Sequence, residues 1–162
     1  MDSASAASVT GIDTLRRRWI VVLAITVAAA VGINLFEPAY NSLQTAPSAA
    51  AFQHTLTDHG RAIAATGCDI VFALGYGALG LIALRTLDTP RRLARPAAVL
   101  IIASALCDEL ENIVLVRNIV AARTLTDGWI TVMRGPGALK WIGLPIFFVL
   151  LVALALRAVR RD

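Results

Sequence analysis

Cysteine is nearly missing from this sequence: there are two in 162 residues, Cys68 and Cys107, each set in a long apolar run. That placement excludes the disulfide framework of a small secreted domain, and the two thiols read as buried side chains. The short motifs of common enzyme classes are absent as well. No Ser-His-Asp spacing, no phosphate-cradling glycine loop and no HExxH occurs. Polar sequence long enough for a separate globular domain is also lacking, because four long apolar runs occupy most of the chain. A single domain is expected.

What the chain has in excess is apolar surface. Hydrophobic residues make up 57% of it and its mean hydropathy is +0.71, against roughly 45–50% apolar residues in a soluble domain. The net charge of +4 and pI near 9.8 could suggest nucleic acid. The basic residues, however, gather at the ends of apolar runs, where membrane orientation accounts for them, so no nucleic-acid partner is expected.

Residues 1–18 are small and polar with no apolar period until Arg16-Arg17-Arg18, which predicts a disordered cytoplasmic tail. From Trp19 to Phe36 the chain carries no charge for 18 residues, within the roughly 17–25 a helix needs to cross about 30 Å of hydrocarbon. A basic triplet ahead of an apolar run containing Ala28-Ala29-Ala30 also has the form of a signal peptide, but the run continues past these alanines. Residues 37–61 read as a loop with a helical shoulder, Ser48 capping a short helix that bears Phe52 and Leu56. Further spans are expected at about 62–84, 97–122 and 138–156. Asp127-Gly128 and Gly135-Pro136-Gly137 serve as turn signals before the last. The predicted fold is all-α, a membrane-embedded antiparallel four-helix bundle occupying residues 19–158.

Lys and Arg accumulate on the cytoplasmic side of short loops. Ten of the 15 basic residues fall before span one, between spans two and three, or after span four. Both termini are therefore expected in the cytoplasm and the 37–61 loop outside. Trp19, Trp129 and Trp141 fall near predicted boundaries, as interfacial anchors do.

The most informative segment is Cys107-Asp108-Glu109-Leu110-Glu111-Asn112, in the middle of the third apolar run. Each carboxylate near the bilayer centre costs roughly 2.5–3.5 kcal/mol on insertion scales, so this helix needs partners. At helical spacing Ser104, Asp108, Glu111 and Asn112 share a narrow polar face, Glu109 flanks it, and Arg117 can snorkel to the headgroups. Asp69 in span two, with Tyr76 seven residues on, and Lys140 at the start of span four lie at compatible depths. A network of Asp69, Asp108, Glu111, Asn112 and Lys140 is expected, with Tyr76 as a deeper member. One ammonium cannot balance three carboxylates in a low-dielectric site, so at least one carboxyl is expected to hold a proton.

Other groupings carry less. Cys68, Asp69, Cys107, Asp108 and Glu111 do not have an established metal-ligand spacing, and His54, Asp58 and His59 make a weak zinc signal without a further ligand. No metal or cofactor is expected. Glycines 67, 75, 77 and 80 are attributed to close helix packing.

Gly60-Arg61, Asp69 with Phe72 and Tyr76-Gly77, Asp108 with Glu111-Asn112, and Lys140-Trp141 together resemble a group of uncharacterised small bacterial four-span integral membrane proteins with an intramembrane D-x-x-E-N element. The likeness covers roughly residues 55–145, and Ala73 stands where that group would have proline. It implies a multi-pass protein of the bacterial plasma membrane but carries no activity with it. Three functions are therefore expected in descending order. The first is a scaffold or accessory component of an envelope complex, with the bilayer and other membrane proteins or a second copy as partners. Next come a small ion- or proton-coupled transporter, and an intramembrane lipid-modifying enzyme with Asp108 or Glu111 as general acid or base.

Overall fold

The computed structural model describes residues 3–87 and 90–159. Residues 1–2 of the expected tail and Arg160 and Arg161 of the C-terminal basic group lie outside the described residues. Among the described residues the chain is entirely helical: α1 Ser3–Phe36, α2 Tyr40–Gln44, α3 Ala49–Thr55, α4 His59–Thr86, α5 Arg91–Val120 and α6 Asp127–Val159, with one 3-10 turn at Ala122–Thr124. Three of these helices are long and apolar enough to cross a membrane. They are α1, α4 and α6. The fourth long helix, α5, has the length, but Asp108, Glu109 and Glu111 interrupt its apolar character.

The long helices pack in chain order, α1 on α4, α4 on α5 and α5 on α6. Contacts between Thr26 and Gly75, between Ile101 and Gly80, and between Glu111 and Gly137 fix three antiparallel registers. Glycine is required where Thr26 of α1 rests on α4, since a Cβ at Gly75 would collide with the threonine side chain. Many large apolar side chains are exposed. On α5, Val99, Ile102, Leu106, Leu110 and Ile113 are exposed at helical spacing while Ser104, Asp108, Glu111 and Asn112 are buried on the other side. The helix is therefore polar inward and apolar outward, the reverse of a helix on a water-soluble domain.

Two expected boundaries are corrected. The first helix begins at Ser3, not at Trp19, so residues 3–18 of the segment expected to be a disordered tail are helical. Its Ser- and Ala-rich composition has no proline to stop a helix that the apolar run continues. The last helix begins at Asp127 and runs unbroken through Gly135-Pro136-Gly137, which had been expected to form a turn. Packing decides the matter: Ile130 and Met133, one turn before the proline, are 1% and 0% exposed, and Gly137 admits the Glu111 carboxylate at a distance where a Cβ would come within 2.9 Å of Oε1.

The expected cap at Ser48 is present, its Oγ accepting from the Ala51 N–H at 3.2 Å. The connection 37–61 folds back over the helices. Tyr40, Leu43 and Phe52 are 2%, 0% and 0% exposed and pack with Leu115, Ile119, Ile130 and Met133. Asp127 Oδ1 accepts from the Ala49 N–H at 2.7 Å, tying the start of α3 to the start of α6. Asp58 is used as the N-cap of α4. Arg61 Nε donates to the Phe36 carbonyl at 2.7 Å, satisfying a terminal carbonyl of α1.

Candidate functional site

The polar face of α5 exists because an apolar helix carrying carboxylates is stable only when those carboxylates meet donors on neighbouring helices. The neighbours supply them. Lys140 Nζ of α6 lies 2.6 Å from Asp108 Oδ1 and 2.9 Å from Glu111 Oε2. All three side chains are buried. The second Asp108 oxygen accepts from the Tyr76 hydroxyl of α4 at 3.0 Å. A charged centre with hydrogen bonds from two helices is thus closed around Asp108, the geometry a buried ion pair requires.

Asp69, on α4, belongs to a second arm. Its Oδ2 accepts from the Tyr40 hydroxyl at 3.2 Å and from Gln44 Nε2 at 3.0 Å. The Tyr40 hydroxyl also lies 3.1 Å from the Asn112 side-chain amide. A phenol has one proton, so if it donates to the carboxylate it receives from the amide. In either orientation of that amide, one of its two polar atoms is left without a partner in a side chain that is 0% exposed. Burial, and then the Asp69 carboxylate beside it, push the Tyr40 phenol well above its ordinary value, so it remains a proton donor at all physiological pH.

Of the residues expected from sequence, Asp108, Glu111, Lys140 and Tyr76 are in direct contact, while Asp69 and Asn112 join through Tyr40. Glu109 stands apart, half-buried with Oε1 unpartnered. Tyr40 and Gln44 were not anticipated. They sit four residues apart on α2, just after Pro38, and the one signal for them was that i, i+4 pair following a helix-starting proline. Arg117, expected to reach the headgroups, lies over the ring of Trp129, an expected interfacial anchor, at 3.6 Å. Cys68 and Cys107 are free thiols.

The site is not sealed. Between α1 and α6, which do not pack closely on one another, lies a cavity of about 200 Å³. Asp69, Asp108 and Lys140 form its charged floor, and Tyr40, Phe72 and Trp141 are among its walls. Further along the same seam is a second cavity of about 220 Å³, lined by Trp19, Tyr76, Gly80, Phe147 and Leu151 among others. Chemically the arrangement can hold excess negative charge, exchange protons among carboxylates, and admit a small molecule from the side. Compared with known proteins, the chain matches no family model, no curated protein and no solved structure.

Proposed function

We propose that this chain is a proton-coupled carrier that crosses the membrane four times, with both termini in the cytoplasm, and that Asp69, Asp108 and Glu111 are its proton-exchanging groups. The topology rests on the three apolar helices, on the outward apolar face of α5, and on the ten-to-five distribution of basic residues. The resemblance to small bacterial four-span proteins suggests the bacterial plasma membrane.

One observation carries the functional reading. Three carboxylates share a buried site with a single ammonium, and two of those carboxylates line a cavity. An ion cluster built only to hold helices together would balance its charges and exclude open space, because an unbalanced buried charge is costly. Here the surplus negative charge calls for a mobile cation, the simplest being a proton, and the cavity gives it a route. Acidic groups at membrane depth commonly form proton relays for the same reason.

A scaffold or accessory component of an envelope complex is the second reading, favoured by the way the cluster joins α2, α4, α5 and α6. The two separate on one experiment. In proteoliposomes with an imposed pH gradient and potassium-clamped potential, wild type dissipates the gradient faster than protein-free vesicles, and Asp69→Asn does so at least tenfold more slowly. If both proteins leave the gradient as protein-free vesicles do, the carrier reading fails and the clasp remains.

A further inference from the structure

We infer that the cavity between α1 and α6 binds an amphiphilic organic ammonium cation, its head beside Asp69 and its aliphatic tail along the seam toward Phe147. The inference rests on the carrier reading for its physiological meaning, since it names the substrate class of that same site.

Three independent observations support it. The first concerns charge. Lys140 is claimed by Asp108 and Glu111, whereas among the described residues Asp69 has only the neutral partners Tyr40 and Gln44. Both of those bonds fall on Oδ2, leaving Oδ1 of a carboxylate that is 6% exposed without a donor, in a side chain that lines the cavity. Lys140 lines the same cavity but is held by two other carboxylates. A buried carboxylate with an open oxygen and no ion pair of its own is a recognition element for a further cation.

The second concerns the walls. Tyr40, Phe72 and Trp141 line the same cavity as Asp69. Aromatic faces attract ammonium groups through their quadrupoles. Lys140 Nζ already lies 5.7 Å from the Trp141 ring centroid at this cavity, and Tyr40 and Phe72 offer further aromatic surface beside Asp69. A hydrated metal ion would gain nothing from such walls. The third concerns shape. The cavity of about 200 Å³ is smaller than the roughly 300–1,000 Å³ of drug-sized sites, so it suits a head group and not a whole ligand. The apolar cavity further along the seam begins one turn on, since Leu144 of α6 lines the first and Phe147 the second, a separation of about 4.5 Å along the axis. Phe72 lines the first cavity and Tyr76 the second, and their rings, packed edge to face 5.5 Å apart, stand between the two. A tail leaving the head group passes along this ring pair to reach the apolar second cavity, on the side where α1 and α6 do not pack closely on one another.

Protons compete with this cation. The titratable groups facing the cavity and its floor are Tyr40 from α2, Asp69 and Tyr76 from α4, Asp108 and Glu111 from α5, and Lys140 from α6, while α1 contributes only Ala30, Ile33 and Asn34. Binding therefore weakens as pH falls and releases protons when it occurs.

The test is titration of the full chain in lipid nanodiscs with octyltrimethylammonium, using octanol and octanoate as neutral and anionic controls and empty nanodiscs for bilayer partition. Saturable binding of the ammonium alone is expected, with proton release, and with affinity at least tenfold weaker in Asp69→Asn. Ala30→Phe fills the cavity from α1 without touching the ion cluster and should abolish the saturable phase. It keeps the inference testable if Asp69→Asn does not fold. Equal uptake of all three amphiphiles, or unchanged binding in a folded Ala30→Phe, would overturn the inference. Wild-type pH-driven flux without ammonium binding defeats this inference and leaves the carrier reading standing, whereas Asp69-dependent binding without flux defeats the carrier reading alone.

Discussion

At the end of the helices covered by α2 and α3, Asp69, Asp108, Glu111, Asn112 and Lys140 are buried together and bonded across four helices. Toward the opposite end, where α5 begins, the interior holds Ala97, Ile101, Phe147 and Leu154, with no buried charged side chain beside them among the described residues. Both regions bring the same helices together. They do so by different means: one through directional contacts that leave an open cavity, the other through close apolar packing. In the bilayer we propose for this chain, apolar packing would gain little from transfer and rely on shape, whereas an ion pair is held by the high cost of breaking it. Specific geometry is therefore expected from the charged region and tolerance to substitution from the apolar one.

The sharpest way to break this contrast is to remove its only buried ammonium. Lys140→Met leaves Asp108 and Glu111 facing each other unpaired, and the loss of stability should be about 3–5 kcal/mol. Unfolding in mixed detergent micelles would measure it. The loss should shrink as pH is lowered, because protons then neutralise the abandoned carboxylates; a loss independent of pH would mean that packing of the lysine stem matters more than its charge. In the apolar region, Phe147→Ala opens a void against Gly80 and Ile101, and the expected cost is roughly 2 kcal/mol if, as proposed, lipid surroundings cancel much of the transfer contribution. Its pH dependence should be flat, in contrast to that of Lys140→Met. The smallest effect is expected at the junction of the two arms: Tyr40→Phe keeps the ring of α2 in place but removes the hydroxyl between Asp69 and Asn112, costing about 1–2 kcal/mol. Hydrogen exchange at α2 should rise in that variant while exchange at Phe147 and its neighbours stays unchanged.

The contrast also explains which parts could be read beforehand. The charged residues of α5 could be placed on one face by arithmetic alone, since 100° per residue fixes their direction and an apolar run fixes their depth. Asp108, Glu111 and Lys140 then had few possible partners but one another. Tyr40 and Gln44 escaped because nothing in a polar connection states that it folds back onto the helices; that depended on Leu43 and Phe52 finding the apolar end formed by Leu115, Ile119 and Met133. Gly135-Pro136-Gly137 misled for a related reason. Local preference there favours a turn, and the burial of Ile130 and Met133 together with the approach of Glu111 to Gly137 outweighs it.

By itself, the amino-acid sequence determined that this chain is helical and rich in long apolar runs, four of them read as spans, and that the third of these carries acids that must turn inward. Those properties follow from residue type and helical period, which act over a few turns. Only the tertiary structure decided that Lys140 pairs with Asp108 and Glu111 while Asp69 is left to Tyr40 and Gln44, and that α1 and α6 stand apart over an open seam. Such outcomes depend on side-chain volume and close approach between segments distant in the chain, and no local pattern contains them.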